Sequence, residues 1–145
     1  MTQKIPAAFQ NIMIIDDNEM DLYITAQTIK RSNTSENVLP YTQGSEAIKY
    51  LQASACNLSL LPKIILVDIY MPGMSGFEFM EAYNELPATL KAFCKVFILS
   101  SSIDHEDLLR ANKDINIAAF RGKPVSKDFL YNLSQSYSCV TQTSL

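Results

Sequence analysis

Three short apolar runs constrain the fold of this chain more than any other feature. They lie at Ile12–Ile15, Ile64–Val67 and Val96–Leu99, and each is rich in Ile or Val and lacks polar alternation. Runs of this kind are typical of strands that are buried on both faces, as in a parallel sheet covered by helices. Weaker strands are predicted near Val38–Thr42 and Ile117–Arg121.

Segments of helical length separate these runs. Apolar residues recur at helical spacing in each segment, and Asn18 precedes the first one as a good N-cap. The pattern predicts five helices, at Met20–Lys30, Ser45–Ala53, Gly76–Leu86, Asp104–Asn112 and Lys127–Tyr137. Strand and helix thus alternate five times, which implies a parallel sheet with helices on both faces. We predict an α/β fold of the flavodoxin-like, doubly wound (βα)5 type, with five parallel strands in the order 2-1-3-4-5.

The length of 145 residues fits a single domain of this type. We assign residues 1–10 to an N-terminal extension, 11–138 to the domain and 139–145 to a C-terminal tail. Because little chain follows the last predicted helix, we expect the domain to act alone. The segment Ala53–Lys63 is long for a connection between helix and strand, and an extension of the second helix would accommodate it.

Composition and charge exclude several classes of protein. Twelve Lys and Arg against 15 Asp and Glu give a net charge of −3, which disfavours nucleic-acid binding. No apolar run approaches the ~18 residues of a membrane span, and the N-terminus lacks a secretory signal. The cysteines at 56, 94 and 139 fit neither a disulfide framework nor a zinc pattern, so reduced thiols are expected. We predict a cytoplasmic protein without membrane contact.

The residues that follow the predicted strands carry the chemistry. Asp16 and Asp17 follow the first apolar run, Asp68 follows the second, and Ser100 follows the third. Lys123 comes soon after the predicted fifth strand. In an open parallel sheet, ligands bind outside the carboxyl ends of the strands. We therefore expect three carboxylates, a hydroxyl and an ammonium to lie at one edge of the sheet.

Three carboxylates held this close repel one another unless a cation lies among them. Mg²⁺ prefers oxygen ligands, so Asp16, Asp17 and Asp68 are candidate ligands for Mg²⁺, with Mn²⁺ also possible. A carboxylate can also act as a nucleophile and accept a phosphoryl group. Lys123 and Ser100 would then neutralise and hydrogen-bond the phosphoryl oxygens. The constellation indicates a phosphorylatable carboxylate with its own metal and cation.

Four motifs together resemble the response-regulator receiver domain, the CheY-like family. They are IIDDN at 14–18, ILVDIYMPGMSG at 65–76, FILSSS at 97–102 and GKPVS at 122–126. The resemblance spans about Asn11 to Tyr137. It implies a single-domain receiver of two-component signalling, which takes a phosphoryl group from a sensor histidine kinase or a phosphotransfer protein. Such a switch catalyses only its own phosphorylation and dephosphorylation and is not otherwise an enzyme.

The resemblance also implies roles for the residues at the sheet edge. Asp16 and Asp17 match the acidic pair that holds Mg²⁺, and Asp68 matches the phosphoacceptor. The backbone carbonyl of Tyr70 matches a further metal ligand. Lys123 matches the lysine that pairs with the phosphoryl group, and Lys123–Pro124 matches a peptide bond that the family usually holds in cis.

A second set of implied roles concerns the switch. Ser100 matches the hydroxyl residue that moves towards the phosphoryl group, and Phe120 matches the aromatic residue that then turns inward. The face made by the fourth helix, the fifth strand and the fifth helix changes as a result, for partner binding or phosphorelay. Tyr70 and Ser102 match positions that tune the lifetime of the acyl phosphate.

Two details of the match depart from the family. Three serines are consecutive, so Ser101 is an alternative sensing hydroxyl, and we prefer Ser100 because it directly follows the apolar strand. Ser100 and Lys123 are 23 positions apart, one more than is usual in the family. We expect a one-residue insertion near Asn112–Asn116.

Two other functions are alternatives to a phosphorylated receiver: an interaction module and a phosphatase. A receiver-like interaction module that is never phosphorylated would be expected to lack an acid or the lysine, and this chain keeps them all. A phosphatase with an aspartate nucleophile usually has a general acid two residues later, where this chain has Tyr70. We expect a monomer or a weak dimer.

Overall fold

The computed structural model describes residues 5–137 of the chain. The predicted tail at 139–145 and Cys139 lie outside the described residues. The elements follow one another as β1 (Phe9–Ile15), α1 (Glu19–Arg31), β2 (Ser35–Tyr41), α2 (Gly44–Ala53), β3 (Ile64–Asp68), α3 (Gly76–Tyr83), α4 (Ala88–Phe93), β4 (Lys95–Ser100), α5 (His105–Asn112), β5 (Ile117–Gly122) and α6 (Lys127–Tyr137). The strands are parallel and form one sheet in the order β2-β1-β3-β4-β5, which confirms the predicted fold.

Both faces of the sheet are buried, which explains the continuous apolar runs. Along β1, Met13 and Ile15 join a cluster that includes residues of α2, α3 and α5. Ile12 and Ile14 join the opposite cluster, which includes residues of α1 and α6. Because successive side chains of a strand point to opposite faces, each buried strand contributes to both clusters.

The helices differ from the prediction in the middle of the chain. The predicted helix Gly76–Leu86 ends at Tyr83, and a sixth helix, α4, occupies Ala88–Phe93. Leu90 is the buried residue of α4. A helix of six residues with one buried position is too short to show a helical repeat of apolar residues in the sequence. The fourth and fifth predicted helices are therefore α5 and α6.

The segment after α2 does not extend that helix. Ser54 is the C-cap of α2, and turns follow in which Asn57 N donates to Ser54 O at 2.9 Å and Leu60 N donates to Asn57 O at 3.0 Å. Asn11 on β1 donates its side-chain amide to the Ser59 and Leu61 carbonyls at 3.0 and 3.3 Å. These turns thus satisfy their backbone groups locally and through Asn11 of the sheet, so the connection is built without further helix.

A bulge interrupts the pairing of β4 with β5. The pairing of β4 with β5 passes from Val96↔Ile117 to Phe97↔Ala119, so Ala118 has no counterpart on β4. A bulge of this kind places two residues opposite one and disturbs the alternation of side chains. Ile117 and Phe120, which are three positions apart, consequently pack into the same cluster.

Candidate functional site

The acidic turn after β1 is held by its own backbone. The Asp16 amide donates to the Tyr41 carbonyl at 3.0 Å, which continues the ladder between β1 and β2. One Asp16 carboxylate oxygen accepts from the Asn18 amide at 2.9 Å. Asn18 in turn caps α1, as predicted, by accepting from the Asp21 amide at 3.1 Å. These bonds join the end of β1 to the first turn of α1.

Asp68 is the last residue of β3, and the loop after it returns close to the strand. Ile69 N donates to Leu99 O at 2.9 Å, and Gly76 N donates back to Ile69 O at 2.8 Å. A Cβ on Gly76 would lie 2.8 Å from the Asp68 carbonyl oxygen and 2.9 Å from Ile69 Cα. Only glycine fits this close approach without a shift of the backbone, so Gly76 supports the position of Asp68.

Three carboxylates meet at this edge of the sheet, as the sequence predicts. Asp16, Asp17 and Asp68 each offer an oxygen atom, and these atoms lie within 4.8 Å of one another. Asp16 and Asp68 are buried, whereas Asp17 is exposed. Carboxylate oxygens open to solvent on one side suit Mg²⁺, which keeps several waters when it binds to proteins. The donor set therefore fits a magnesium ion.

Lys123 reaches across the sheet edge into the same cluster. Its Nζ donates to Asp16 Oδ2 and to Asp21 Oδ2, each at 2.9 Å, and lies 3.4 Å from Asp68 Oδ1. Burial of Lys123 lowers the pKa of its ammonium, but the hydrogen bonds to Asp16 and Asp21 and the charge of Asp68 outweigh that effect and raise the pKa. Lys123 is therefore a permanent cation.

Asp68 has the most perturbed carboxylate of the cluster. Burial raises its pKa, the nearby charge of Asp16 raises it further, and Lys123 opposes both, which leaves the pKa at about 6. The ordinary value of an aspartate is near 3.8, so the negative charge of Asp68 is costly where the fold places it. A group that binds negative charge or adds positive charge beside Asp68 relieves this cost.

Ser100 is the last residue of β4 and is fully buried, whereas the alternative hydroxyl, Ser101, is exposed. The Ser100 hydroxyl donates to the Ser102 carbonyl at 2.5 Å and accepts from the Ser102 amide at 3.2 Å. Its carbonyl accepts from the Lys123 amide at 2.8 Å. The hydroxyl is thus engaged within the loop before α5 and must leave these bonds before it can contact another group.

Phe120, the residue expected to act as the switch, lies in the buried cluster beside β4. Its side chain is buried, with 5% of the residue exposed, and it lies opposite Ile98 of β4. The bulge at Ala118 is the cause, because it directs Phe120 and Ile117 to the same buried cluster. The Phe120 side chain thus packs against the buried side of the sheet.

Tyr70 makes a contact that the sequence did not reveal. The residue is exposed, and its phenol donates a hydrogen bond to the Asp107 carboxylate in the first turn of α5. This bond, together with weaker effects of burial and of nearby acids, raises the pKa of the phenol to about 12. The side chain thus links the loop after Asp68 to α5.

Asp21 is a second residue that sequence reasoning missed as part of the site. It lies in the first turn of α1, where acidic side chains are favoured beside the helix N-terminus. An available signal was its spacing, since Asp21 follows the acidic pair by little more than one helical turn. The Lys123–Pro124 peptide bond is cis, as the resemblance implied.

The fold and this pocket define a CheY-like α/β domain. A model of the family described as "Response regulator receiver domain" matches residues 12–134. The chain therefore belongs to the response regulator receiver domain family, as its motifs predicted. Domains of this family are signalling switches of two-component systems, are generally not classed as enzymes, and typically bind Mg²⁺ in an acidic pocket.

Similar proteins and structures agree with this assignment. The chain is 29% identical over 82 residues to the two-component response regulator ARR16 of Arabidopsis thaliana, covering 52% of this chain and 49% of that protein. It is 28% identical over 98 residues to the putative two-component response regulator ARR13 of the same plant, covering 67% of this chain and 16% of that protein. The chain thus spans half or less of the length of these relatives.

Two bacterial structures have the same fold. A two-component response regulator from Cytophaga hutchinsonii is 26% identical, with a TM-score of 0.82, over 88% of this chain and 96% of that one. A response regulator receiver protein from Dyadobacter fermentans is 27% identical, with a TM-score of 0.80, over 88% and 97% of the two chains. Among residues 5–137 of the present chain, no helix combines the length and apolarity needed to span a bilayer.

Proposed function

We propose that this chain accepts a phosphoryl group on Asp68 from a sensor histidine kinase or a phosphotransfer protein, in a reaction that depends on Mg²⁺. The observation that supports this most is the position of Asp68 between the half-buried Lys123 ammonium and two other acids. Lys123 Nζ lies 3.4 Å from its Oδ1, and oxygens of Asp16 and Asp17 lie within 4.8 Å of an Asp68 oxygen.

Each residue of the pocket has a role in this proposal. Asp16, Asp17 and Asp68 would hold the metal, with the Tyr70 backbone carbonyl as a further ligand. When bound, Mg²⁺ supplies positive charge that offsets the carboxylates and the oxygens of the incoming group. Lys123 supplies a second positive charge from the loop that follows β5. Most of the work is thus electrostatic, as phosphoryl transfer requires.

The transfer step itself exchanges one bond of phosphorus for another. A carboxylate oxygen of Asp68 attacks the phosphorus of a phosphohistidine, a P–O bond forms and the P–N bond breaks. The electron pair of the broken bond goes to the imidazole nitrogen of the donor, which regains a proton from solvent. The product on this chain is an acyl phosphate, whose charge Lys123 would pair with directly.

The response of the fold would begin at Ser100. Its hydroxyl would exchange the bond to Ser102 for one to a phosphoryl oxygen, and the loop before α5 would follow. Phe120, which is buried, would then adjust into the space that Ser100 vacates, and the α5–β5–α6 face would change for partner binding or phosphorelay. Tyr70 and Ser102 flank the acceptor, and we retain them as residues that tune the acyl phosphate lifetime.

Labelling with a small phosphodonor tests this proposal. Radioactive phosphoramidate with Mg²⁺ should label the wild-type chain with acid-labile phosphate, and Asp68→Asn should abolish the label. Asp128→Asn, which removes an exposed carboxylate of α6, is the control and should be labelled normally. Undiminished label on Asp68→Asn would refute the assignment. An unlabelled wild-type chain would favour an interaction module that works without phosphorylation.

A further inference from the structure

We propose that Asp21 is a positioning residue that holds the Lys123 ammonium beside Asp68, an inference that rests on the proposed phosphorylation of Asp68. Lys123 Nζ lies 2.9 Å from both Asp21 Oδ2 and Asp16 Oδ2, but 3.4 Å from Asp68 Oδ1. An ammonium has three N–H donors. Two of them are committed to Asp16 and Asp21, so the contact with the phosphoacceptor is the longest of the three.

Asp21 differs from Asp16 and Asp68 because it does not belong to the cluster that could bind a metal. A carboxylate that also binds a metal has less negative charge to offer an ammonium. Asp21 is therefore the partner whose attraction for Lys123 stays constant when the other acids are engaged.

The backbone of α1 fixes the position of Asp21. Its amide donates to the Asn18 side chain at 3.1 Å, which fixes it in the first turn of α1, where the helix dipole favours a carboxylate. Its side chain is 40% exposed, against 10% for Lys123. Because water can replace its contacts, removal of its charge should leave the fold intact and act mainly on Lys123.

Loss of the Asp21 charge removes one of the three carboxylates that attract the Lys123 ammonium. In Asp21→Asn, the remaining anions near Nζ are Asp16 and Asp68, so we expect the nitrogen to move towards Asp68 and to shorten the 3.4 Å ion pair. A carboxylate oxygen is a weaker nucleophile when a cation lies closer to it, because more of its negative charge is offset before it attacks phosphorus. The expected result is about a tenfold slower phosphorylation at saturating phosphoramidate and Mg²⁺, or ~1.4 kcal/mol.

Kinetic measurements on the full chain provide the first part of the test. Asp21→Asn should lower the maximal labelling rate about tenfold and change Mg²⁺ affinity, measured by calorimetry, by less than about threefold. Asp21→Glu, which keeps the charge, should recover most of the lost rate. Glu19→Gln removes a neighbouring exposed acid from the same helical turn and should keep the wild-type rate.

A spectroscopic readout without metal or phosphodonor provides the second part. With ¹⁵N-labelled lysine, the Lys123 ammonium should give a resolved NMR signal in the wild type, because carboxylates hold its protons. Lys123→Arg assigns that signal, and Asp21→Asn should shift it or broaden it beyond detection. An unchanged signal together with an unchanged rate would overturn the role of Asp21, and so would faster labelling of Asp21→Asn. Label that persists on Asp68→Asn would instead overturn the function, which keeps the two failures distinct.

Discussion

Replacement of the phosphoacceptor should stabilise the protein at neutral pH. Asp68 is buried, with 7% of the residue exposed, and its charge lies close to that of Asp16. Asparagine has nearly the same shape without the charge, so Asp68→Asn removes the cost of burying a carboxylate. The expected direction is opposite to that of most substitutions, which destabilise a fold.

The size of the effect follows from the pKa of Asp68. Burial and the Asp16 charge raise that pKa from 3.8 to about 6, and one unit corresponds to 1.36 kcal/mol. The Asp68 carboxyl therefore binds a proton more tightly in the folded protein than in the unfolded chain. Below pH 3.8 the stabilising proton is fully present, and its contribution is lost as pH rises to about 6. The full loss is about 3 kcal/mol, and it should be absent from Asp68→Asn.

Denaturant unfolding across pH provides the measurement. The free energy of unfolding of both proteins is determined in urea between pH 3.5 and pH 7.5, with a chelator present to remove divalent ions. The two proteins should be similar in stability near pH 4 and should diverge between pH 4 and 6, with Asp68→Asn the more stable by about 2–3 kcal/mol at pH 7. Equal stabilities at pH 7, or a less stable Asp68→Asn, would refute the argument.

Two further predictions concern the same pocket. Mg²⁺ at a hundred times its dissociation constant should raise the free energy of unfolding of the wild type by about 2.7 kcal/mol. Urea titrations should show a much smaller gain for Asp68→Asn, and an equal gain in both proteins would mean that the metal binds elsewhere. Gly76→Ala should cost about 1–3 kcal/mol of stability, because its Cβ would meet the Asp68 carbonyl oxygen at 2.8 Å. Thermal and urea unfolding would measure this cost, and a neutral result would mean that the loop after Asp68 yields without strain.

The sheet and the acids were predictable because each rests on a local pattern. Strands covered on both faces need continuous apolar runs, and the carboxyl ends of parallel strands must share one edge. Once Ile12–Ile15 and Ile64–Val67 are recognised as such strands, the meeting of Asp16, Asp17 and Asp68 follows from topology alone.

The features that sequence reasoning missed depend on three-dimensional contacts. Helix α4 buries mainly Leu90, so its pattern is too weak to read. The partners of Lys123 and Tyr70 are acids on other elements, Asp21 and Asp107, and pattern along the chain does not encode which exposed acid a long side chain will reach. The burial of Phe120 beside Ile98 depends on a register shift between β4 and β5, and such a shift has no sequence signature of its own.

The bulge in β5 also protects the pocket from changes elsewhere in the chain. Beyond Ala118, four consecutive pairs from Phe97↔Ala119 to Ser100↔Gly122 align β5 with β4. Lys123 follows the last of these pairs, and its amide bonds to the Ser100 carbonyl. An insertion or deletion in the connection before β5 can therefore be absorbed upstream, while the ammonium keeps its distance from the acids.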